Sequence, residues 1–113
     1  MFKLKRAYEP ATPEDGYRVL VERLWPRGVT RQQAVLDLWL KNIAPSAELR
    51  KWFDHDPLKW AEFQRRYAQE LSQKQDLLDL LRQKEREGAV TLVYSARDER
   101  HNAAVALKSF LVH

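Results

Sequence analysis

The sequence predicts a small single-domain α/β sandwich in which a partly parallel sheet of about four strands is flanked by helices. Two apolar runs, Val19–Val21 and Val90–Tyr94, are typical of strands that are buried on both faces. Between them, four large apolar residues recur at helical spacing: Trp60, Phe63, Tyr67 and Leu71. Strands that alternate with helices favour an α/β architecture, and 113 residues suffice for one core, so we expect one domain over residues 1–113.

The N-terminal part is expected to hold two strands joined by a turn. Residues 2–8 alternate apolar and charged side chains, which predicts a half-exposed strand. Thr12 precedes Pro13 and is a suitable cap for one helical turn, which Asp15-Gly16 would end. The central strand should run from about Tyr17 to Arg23, where Pro26 and Gly28 force a turn. Residues 30–34 have room for one short helical turn.

Residues 35–41 alternate with a period of two, which predicts a third strand. Leu36, Leu38 and Leu40 would lie on one face of that strand. Asp37, Trp39 and Lys41 would then lie together on the opposite face, where a carboxylate, an indole and an ammonium group could share one cleft.

The C-terminal part is expected to be mainly helical. Ser46 should cap a helix that ends near Phe53, and Asp56 with Pro57 should start the next one. Ser72 and Gln75 have the spacing of a capping box, so the helix should restart there and continue to about residue 87, before Gly88. After the last strand, residues 101–111 should form the closing helix.

Composition restricts the function classes. The formal net charge is +4 and the sequence pI is near 9.5, which favours an anionic partner. The absence of cysteine excludes disulfides, thiol nucleophiles and thiolate metal sites. No apolar run approaches the roughly 20 residues of a membrane span, and no signal-peptide pattern is present. We therefore expect a cytoplasmic protein without membrane contact, metal or cofactor.

Two arginines bracket the turn that follows the central strand, and they are the main candidates for ligand binding. In open α/β sheets, ligands bind beyond the carboxyl ends of the strands. Arg23 and Arg27 lie at such an end, and their guanidinium groups suit phosphate or carboxylate. The alternative is that they form buried salt bridges with Glu22, Asp37 or Glu48. Trp25, between them, would either stack on a ligand ring or fill the core.

Further candidates lie at the other predicted strand ends and helix starts. Asp37, Lys41 and Ser95 are weak candidates for catalysis, since a buried carboxylate with a shifted pKa or a hydroxyl could take part in chemistry. Ser46 is explained by its capping role, but a helix N-terminus also favours anions. The remaining predicted ligand-binding residues are Trp39, Lys41, Arg50, Tyr94, Ser95, Arg97 and Asn102.

Several blocks of the sequence together resemble the DUF488 family, in particular its short single-domain branch that includes the YeaO-like proteins. The most specific block is Arg-Leu-Trp-Pro-Arg-Gly at residues 23–28. The others are residues 15–22, the Asp37-x-Trp39-x-Lys41 pattern, residues 44–50, residues 63–71, and residues 91–98 with His101-Asn102. The resemblance implies a soluble α/β protein and no particular substrate. Longer members carry a Cys-His-Arg element after the last strand, whereas this chain has Glu-Arg-His-Asn at residues 99–102, so their thiol chemistry does not transfer.

Three functions remain open at this stage. The first is a small anionic or phosphorylated ligand, such as a nucleotide, held in an arginine-lined pocket at the carboxyl edge of the sheet. The second is a module that binds nucleic acid through surface arginine and lysine. The third is a protein without a ligand, in which the arginines of the turn are purely structural. The sequence names no reaction and leaves both enzymatic activity and oligomeric state open.

Overall fold

The fold is described from a computed structural model, which covers residues 1–112. Its sheet has four strands, β1 Phe2–Arg6, β2 Tyr17–Leu20, β3 Leu38–Trp39 and β4 Val90–Tyr94. The strands lie in the order β1-β4-β2-β3, and every pairing between them is parallel. The predicted α/β class is confirmed. The sequence predicted a partly parallel sheet, whereas all the observed strand pairs are parallel.

Five helices complete the described part of the chain: α1 Arg31–Ala34, α2 Ala47–Phe53, α3 Trp60–Leu71, α4 Gln75–Glu87 and α5 Ala103–Leu111. Short 3-10 turns occupy Pro13–Asp15, Lys41–Ile43 and Pro57–Lys59. No helix within residues 1–112 is long and apolar enough to cross a membrane.

The helices cover mainly one face of the sheet. The main core joins apolar residues of β1, β2 and β4 to buried residues of α2, α3, α4 and α5. The opposite face carries a smaller cluster, in which Trp25, Leu36 and Trp39 pack on Ala7, Leu20 and Val93. The central strands are therefore buried on both sides, by helices on one side and largely by connecting segments on the other.

Several predicted helix signals are confirmed. Ser46 accepts a hydrogen bond from the backbone N–H of Leu49 at the start of α2, and Asp56 accepts one from Leu58. The predicted interruption near residue 72 also exists, but the capping box there is wrong. Ser72 keeps a helical backbone at the end of α3, and its hydroxyl donates to the carbonyl of Gln69, so it does not cap α4.

The strand predicted for residues 35–41 is mostly wrong, since only Leu38 and Trp39 are regular strand. Val35 has a left-handed backbone with φ of 45°, and Lys41 already begins a 3-10 turn. The period-two pattern therefore does not extend along one straight strand, and Asp37, Trp39 and Lys41 do not form the predicted face. Likewise β2 ends at Leu20, three residues before the predicted end at Arg23.

Candidate functional site

The carboxyl ends of β2 and β4 border a cavity of about 350 Å³. The segment after β2 forms much of its wall, and the segments after β1 and β4, the Ala44-Pro45 segment, α2 and the start of α5 contribute the rest. Because β2 and β4 are parallel neighbours, the residues that follow them lie side by side at this edge. We call this the arginine cavity; it is lined by Tyr8, Val21, Glu22, Arg23, Leu24, Trp25, Pro26, Arg27, Ala44, Pro45, Arg50, Ser95 and Ala103.

A second cavity, of about 410 Å³, adjoins the first. The two share five lining residues: Glu22, Pro45, Arg50, Ser95 and Ala103. The aromatic side chains of Phe53, Phe63 and Tyr94 distinguish the second cavity, which we call the aromatic cavity. Each volume is within the range of about 300–1,000 Å³ that is typical of small-molecule pockets.

Three arginines line the arginine cavity. Arg23 and Arg50 are half-buried, and each has a buried Nε atom that finds no hydrogen-bond partner in the described part of the chain. Arg27 is exposed at the rim. Within residues 1–112, none of the three forms a salt bridge within 4.0 Å. Their positive charge is therefore not neutralised by a contacting carboxylate.

The ammonium group of Lys74 is a further cation near Arg23. The Lys74 ammonium group donates to the carbonyl oxygen of Ala44 at 3.0 Å. Burial lowers the pKa of Lys74; the nearby charge of Arg23 lowers it further, whereas that of Glu70 raises it. Like charges raise the local potential, so this edge of the sheet is electrostatically suited to an anion.

Glu22 is the carboxylate at the boundary between the two cavities. Its Oε2 atom accepts a hydrogen bond from the Ser95 hydroxyl at 3.2 Å, whereas its Oε1 atom is buried without a partner. Burial raises the pKa of Glu22, although the hydrogen bonds from Ser95 and the charges of His55 and Arg50 act in the opposite direction. The sequence identified Glu22 only as a counter-ion, yet a charged residue directly after a buried apolar run was the available signal.

The two tryptophans near the site mainly shape the loop. Trp25 donates from Nε1 to the carbonyl of Val29 at 2.6 Å, and Trp39 donates to the carbonyl of Glu22 at 2.7 Å. Their rings meet edge to face at 5.4 Å between centroids. Trp25 borders the arginine cavity. Trp39 lines neither of the two cavities, and its hydrogen bond holds the backbone of Glu22 in place.

Four predicted site residues besides Trp39 lie outside both cavities. Asp37 precedes β3, at the opposite edge of the sheet, and its carboxylate accepts from the backbone N–H of Arg18 at 2.8 Å. Lys41 is exposed and lies 4.0 Å above the Trp39 ring. Ser46 caps α2 and donates to the Glu70 carboxylate at 2.6 Å, so the protein's own anion occupies this helix start. Arg97 is exposed.

Three other predicted residues border the aromatic cavity, and each has a structural contact. The Asn102 side chain caps α5 by accepting from Val105 at 3.0 Å, and it donates to the carbonyl of Asp98. Tyr94 is buried, and burial raises its pKa. Ser95 is bound to Glu22, whereas the His101 ring contacts Asp98 and Trp60 and lines neither cavity. The structure therefore brings together Arg23, Trp25, Arg27, Arg50, Tyr94, Ser95 and Asn102.

The chemistry available at the site is recognition of an anion beside a carboxyl group. The polar groups that line the two cavities are the guanidiniums of the three arginines, the carboxyls of Glu22 and Asp54, the hydroxyls of Ser95, Tyr8 and Tyr94, the ammonium group of Lys51, the His55 ring and the Asn102 amide. Residues 1–112 contain no group of three or more histidine, cysteine, aspartate or glutamate side chains arranged to hold a metal ion.

Comparison with known proteins gives a consistent family match. The whole sequence, residues 1–113, matches the family described as "Inactive DUF488-N3 subclade". The chain is 42% identical over 107 residues to "Uncharacterized protein YeaO" of Escherichia coli K12, covering 95% of this chain and 93% of that protein. It is 38% identical over 109 residues to uncharacterized proteins of Mycobacterium bovis and Mycobacterium tuberculosis, covering 96% of this chain and 92% of each. No solved structure matches it.

Proposed function

Since the chain belongs to the DUF488-N3 family, in the subclade described as inactive, we propose that it binds a small anionic or phosphorylated ligand in the arginine cavity without transforming it. The absence of cysteine supports binding without thiol chemistry. We also propose a cytoplasmic location, because a chain without disulfides has no need of an oxidising compartment.

The observation that carries this proposal is the pair of buried Nε atoms of Arg23 and Arg50, which have no hydrogen-bond partner. A buried donor without a partner costs about 1–3 kcal/mol, and more when the group is charged, so native proteins rarely leave one unsatisfied without a reason. An anion in the arginine cavity would supply acceptor oxygens to these donors. Arg27 at the rim would then close over the bound group.

Salt bridges from Arg23 and Arg27 to Glu22, Asp37 or Glu48 were the structural alternative. No such ion pair occurs within residues 1–112, and Asp37 lies at the other edge of the sheet, bound to the backbone of Arg18. The arginine that does serve this structural purpose is Arg18, which forms a buried ion pair with Asp15 at 2.6 Å. This division of roles supports ligand binding by the cavity arginines.

The test is a titration of the protein with inorganic phosphate, followed by calorimetry, on the wild type and on Arg23→Lys and Arg27→Lys. Lysine keeps the charge but loses the forked geometry, so each variant should weaken phosphate binding about tenfold. Arg97→Lys, an exposed arginine outside both cavities, is the matched control and should bind like the wild type.

Two results would contradict the proposal. One is the absence of phosphate binding by the wild type at millimolar concentration. The other is binding that weakens equally in Arg97→Lys, which would indicate diffuse surface charge. Retention on a single-stranded oligonucleotide that falls steeply with salt would then favour a nucleic-acid module instead.

A further inference from the structure

Within residues 1–112, Glu22 has a buried acceptor atom without a partner, and it lines the arginine cavity together with Arg23 and Arg50, which each have a buried donor atom without a partner. Its Oε1 atom is buried and has no hydrogen-bond partner, while Oε2 is engaged by the Ser95 hydroxyl. The dianion of a simple phosphate monoester, such as methyl phosphate, has only acceptor oxygens. It would satisfy Arg23 and Arg50 and leave Oε1 of Glu22 unsatisfied.

The position of Glu22 limits where a ligand group that donates a hydrogen bond to its Oε1 atom can lie. Glu22 and Arg50 line both cavities, whereas Arg23 and Arg27 line only the arginine cavity. A ligand group that contacts Glu22 therefore adjoins the anionic group on the side of the aromatic cavity. The charged groups that face the Glu22 carboxyl are Arg50 on α2 and His55 in the loop after it.

We propose that the ligand is a phosphate ester with a free hydroxyl group next to its phosphate, and that this hydroxyl donates a hydrogen bond to Oε1 of Glu22. This inference rests on the proposed function, because the arginines must hold the phosphate for the hydroxyl to reach Glu22. An uncharged hydroxyl fits better than an ammonium donor, which would be repelled by Arg50 and by the arginines of the cavity.

Two kinds of molecule have this chemistry, namely free sugar phosphates and nucleotides. In a nucleotide the sugar hydroxyls lie between the phosphate and the base, and the base would extend into the aromatic cavity beside Phe53, Phe63 and Tyr94. In a sugar phosphate the aromatic cavity would remain without a ring. The recognition by Glu22 is the same in both cases.

The experiment compares methyl phosphate, ribose 5-phosphate and adenosine 5′-monophosphate by calorimetry on the full chain. Methyl phosphate is an ester without a hydroxyl group, so it isolates the contribution of the arginines. Ribose 5-phosphate should bind about tenfold more tightly than methyl phosphate, the gain expected for one hydrogen bond to a carboxylate. Tighter binding of adenosine 5′-monophosphate than of ribose 5-phosphate would identify a nucleotide site, and equal binding a sugar phosphate site.

The variant Glu22→Met removes both carboxyl oxygens and keeps a side chain of similar length. It should bind methyl phosphate at least as tightly as the wild type and lose the preference for ribose 5-phosphate. Glu48→Met changes an exposed carboxylate of α2 outside both cavities and should keep that preference. If Glu22→Met does not fold, as thermal melting would reveal, Glu22→Gln takes its place and should show a reduced preference.

The outcomes separate the two proposals. Equal binding of methyl phosphate and ribose 5-phosphate by the wild type would overturn the role of Glu22 and leave anion binding intact. A preference for ribose 5-phosphate that is undiminished in the Glu22 variant would also overturn it. If none of the three compounds binds, both the inference and the proposed function fail.

Discussion

Two arginines only five positions apart in the sequence have opposite environments. Arg18 is 2% exposed, pairs with Asp15 and donates to the carbonyl oxygen of Ala34 at 2.8 Å from one of its terminal nitrogens. Among residues 1–112, Arg23, which follows the same strand, forms no salt bridge, and its buried Nε has no hydrogen-bond partner. Identical side chains therefore have a structural role at Arg18 and, in our proposal, a ligand-binding role at Arg23.

The structural role of Arg18 predicts a large loss of stability in Arg18→Ala. The change removes the buried cation that pairs with the Asp15 carboxylate, which keeps Lys5 and the hydrogen bonds from Thr12, and it removes the side-chain donors to the Ala34 carbonyl, so the free energy of unfolding should fall by about 3 kcal/mol. Urea denaturation of the wild type and the variant measures this change in the free energy of unfolding. Arg27→Ala, at an exposed position, is the comparison and should change stability by less than about 0.5 kcal/mol. Equal losses of stability in Arg18→Ala and Arg27→Ala would contradict the structural role assigned to Arg18.

Glu22 should make anion binding depend on pH. Burial raises its pKa, so the carboxyl is neutral over a wider pH range than usual and ionises only as pH rises through that raised value. Sulfate remains a dianion over this range and should bind less tightly as Glu22 acquires its negative charge. The affinity for sulfate, measured by calorimetry from acidic to neutral pH, should therefore decrease with pH.

The matched variant is Glu22→Gln, whose sulfate affinity should vary little with pH. His55 faces the same carboxyl, so both proteins are compared on a His55→Asn background; asparagine tolerates the left-handed backbone of this position, where φ is 55°. If the affinity for sulfate varied equally with pH in both proteins, the pH dependence would come from a group other than Glu22.

At the scale of elements, the starts of β2 and β4 are held by an unusually close backbone approach. Gly16 has φ of 65°, and a side-chain carbon there would overlap the carbonyl oxygen of Ala89, just before β4. The backbone N–H of Tyr17 donates to that same oxygen at 2.9 Å, and the Thr91 hydroxyl donates to the carbonyl of Asp15. This junction sets the register of the two central strands.

Gly16→Ala should therefore destabilise the protein much more than Gly88→Ala. The first change combines an unfavourable backbone conformation with a clash against backbone atoms, a cost of about 2 kcal/mol or more. At Gly88, nothing lies within 4 Å of the added carbon. Thermal melting of both variants, monitored by circular dichroism, measures the difference, and similar melting temperatures would show that the strands can separate slightly without cost.

At the scale of the whole molecule, the parallel sheet explains why the residues of the candidate site lie at one edge. All four strands point the same way, so the segments after β2 and β4 meet at the carboxyl edge, while Asp15, Arg18 and Asp37 gather at the other. The first edge has donors and one acceptor without partners, and the second is internally paired. Strand direction therefore separates the edge that we propose to bind the ligand from the edge whose polar residues are paired with one another.

The sequence by itself determined the fold class and much of the local structure. The sequence predicted the apolar runs of β2 and β4 and the caps at Ser46 and Asp56, because these features depend on neighbouring residues. It also indicated the family, because several sequence blocks along the chain resemble it. Periodicity failed for residues 35–41, since the left-handed backbone at Val35 and the turn at Lys41 interrupt the strand. A local pattern cannot indicate where a strand stops being paired.

Only the tertiary structure decided which polar residues are already satisfied. Asp37 is bound to the Arg18 backbone and Ser46 to Glu70, whereas Arg23, Arg50 and Glu22 keep buried atoms without partners. Hydrogen-bond partners such as Ser46 and Glu70 are 24 positions apart in the chain, so their pairing depends on how α2 and α3 pack. Composition and spacing can name residues that are able to bind an anion, but only the packed structure determines which of them remain free to do so.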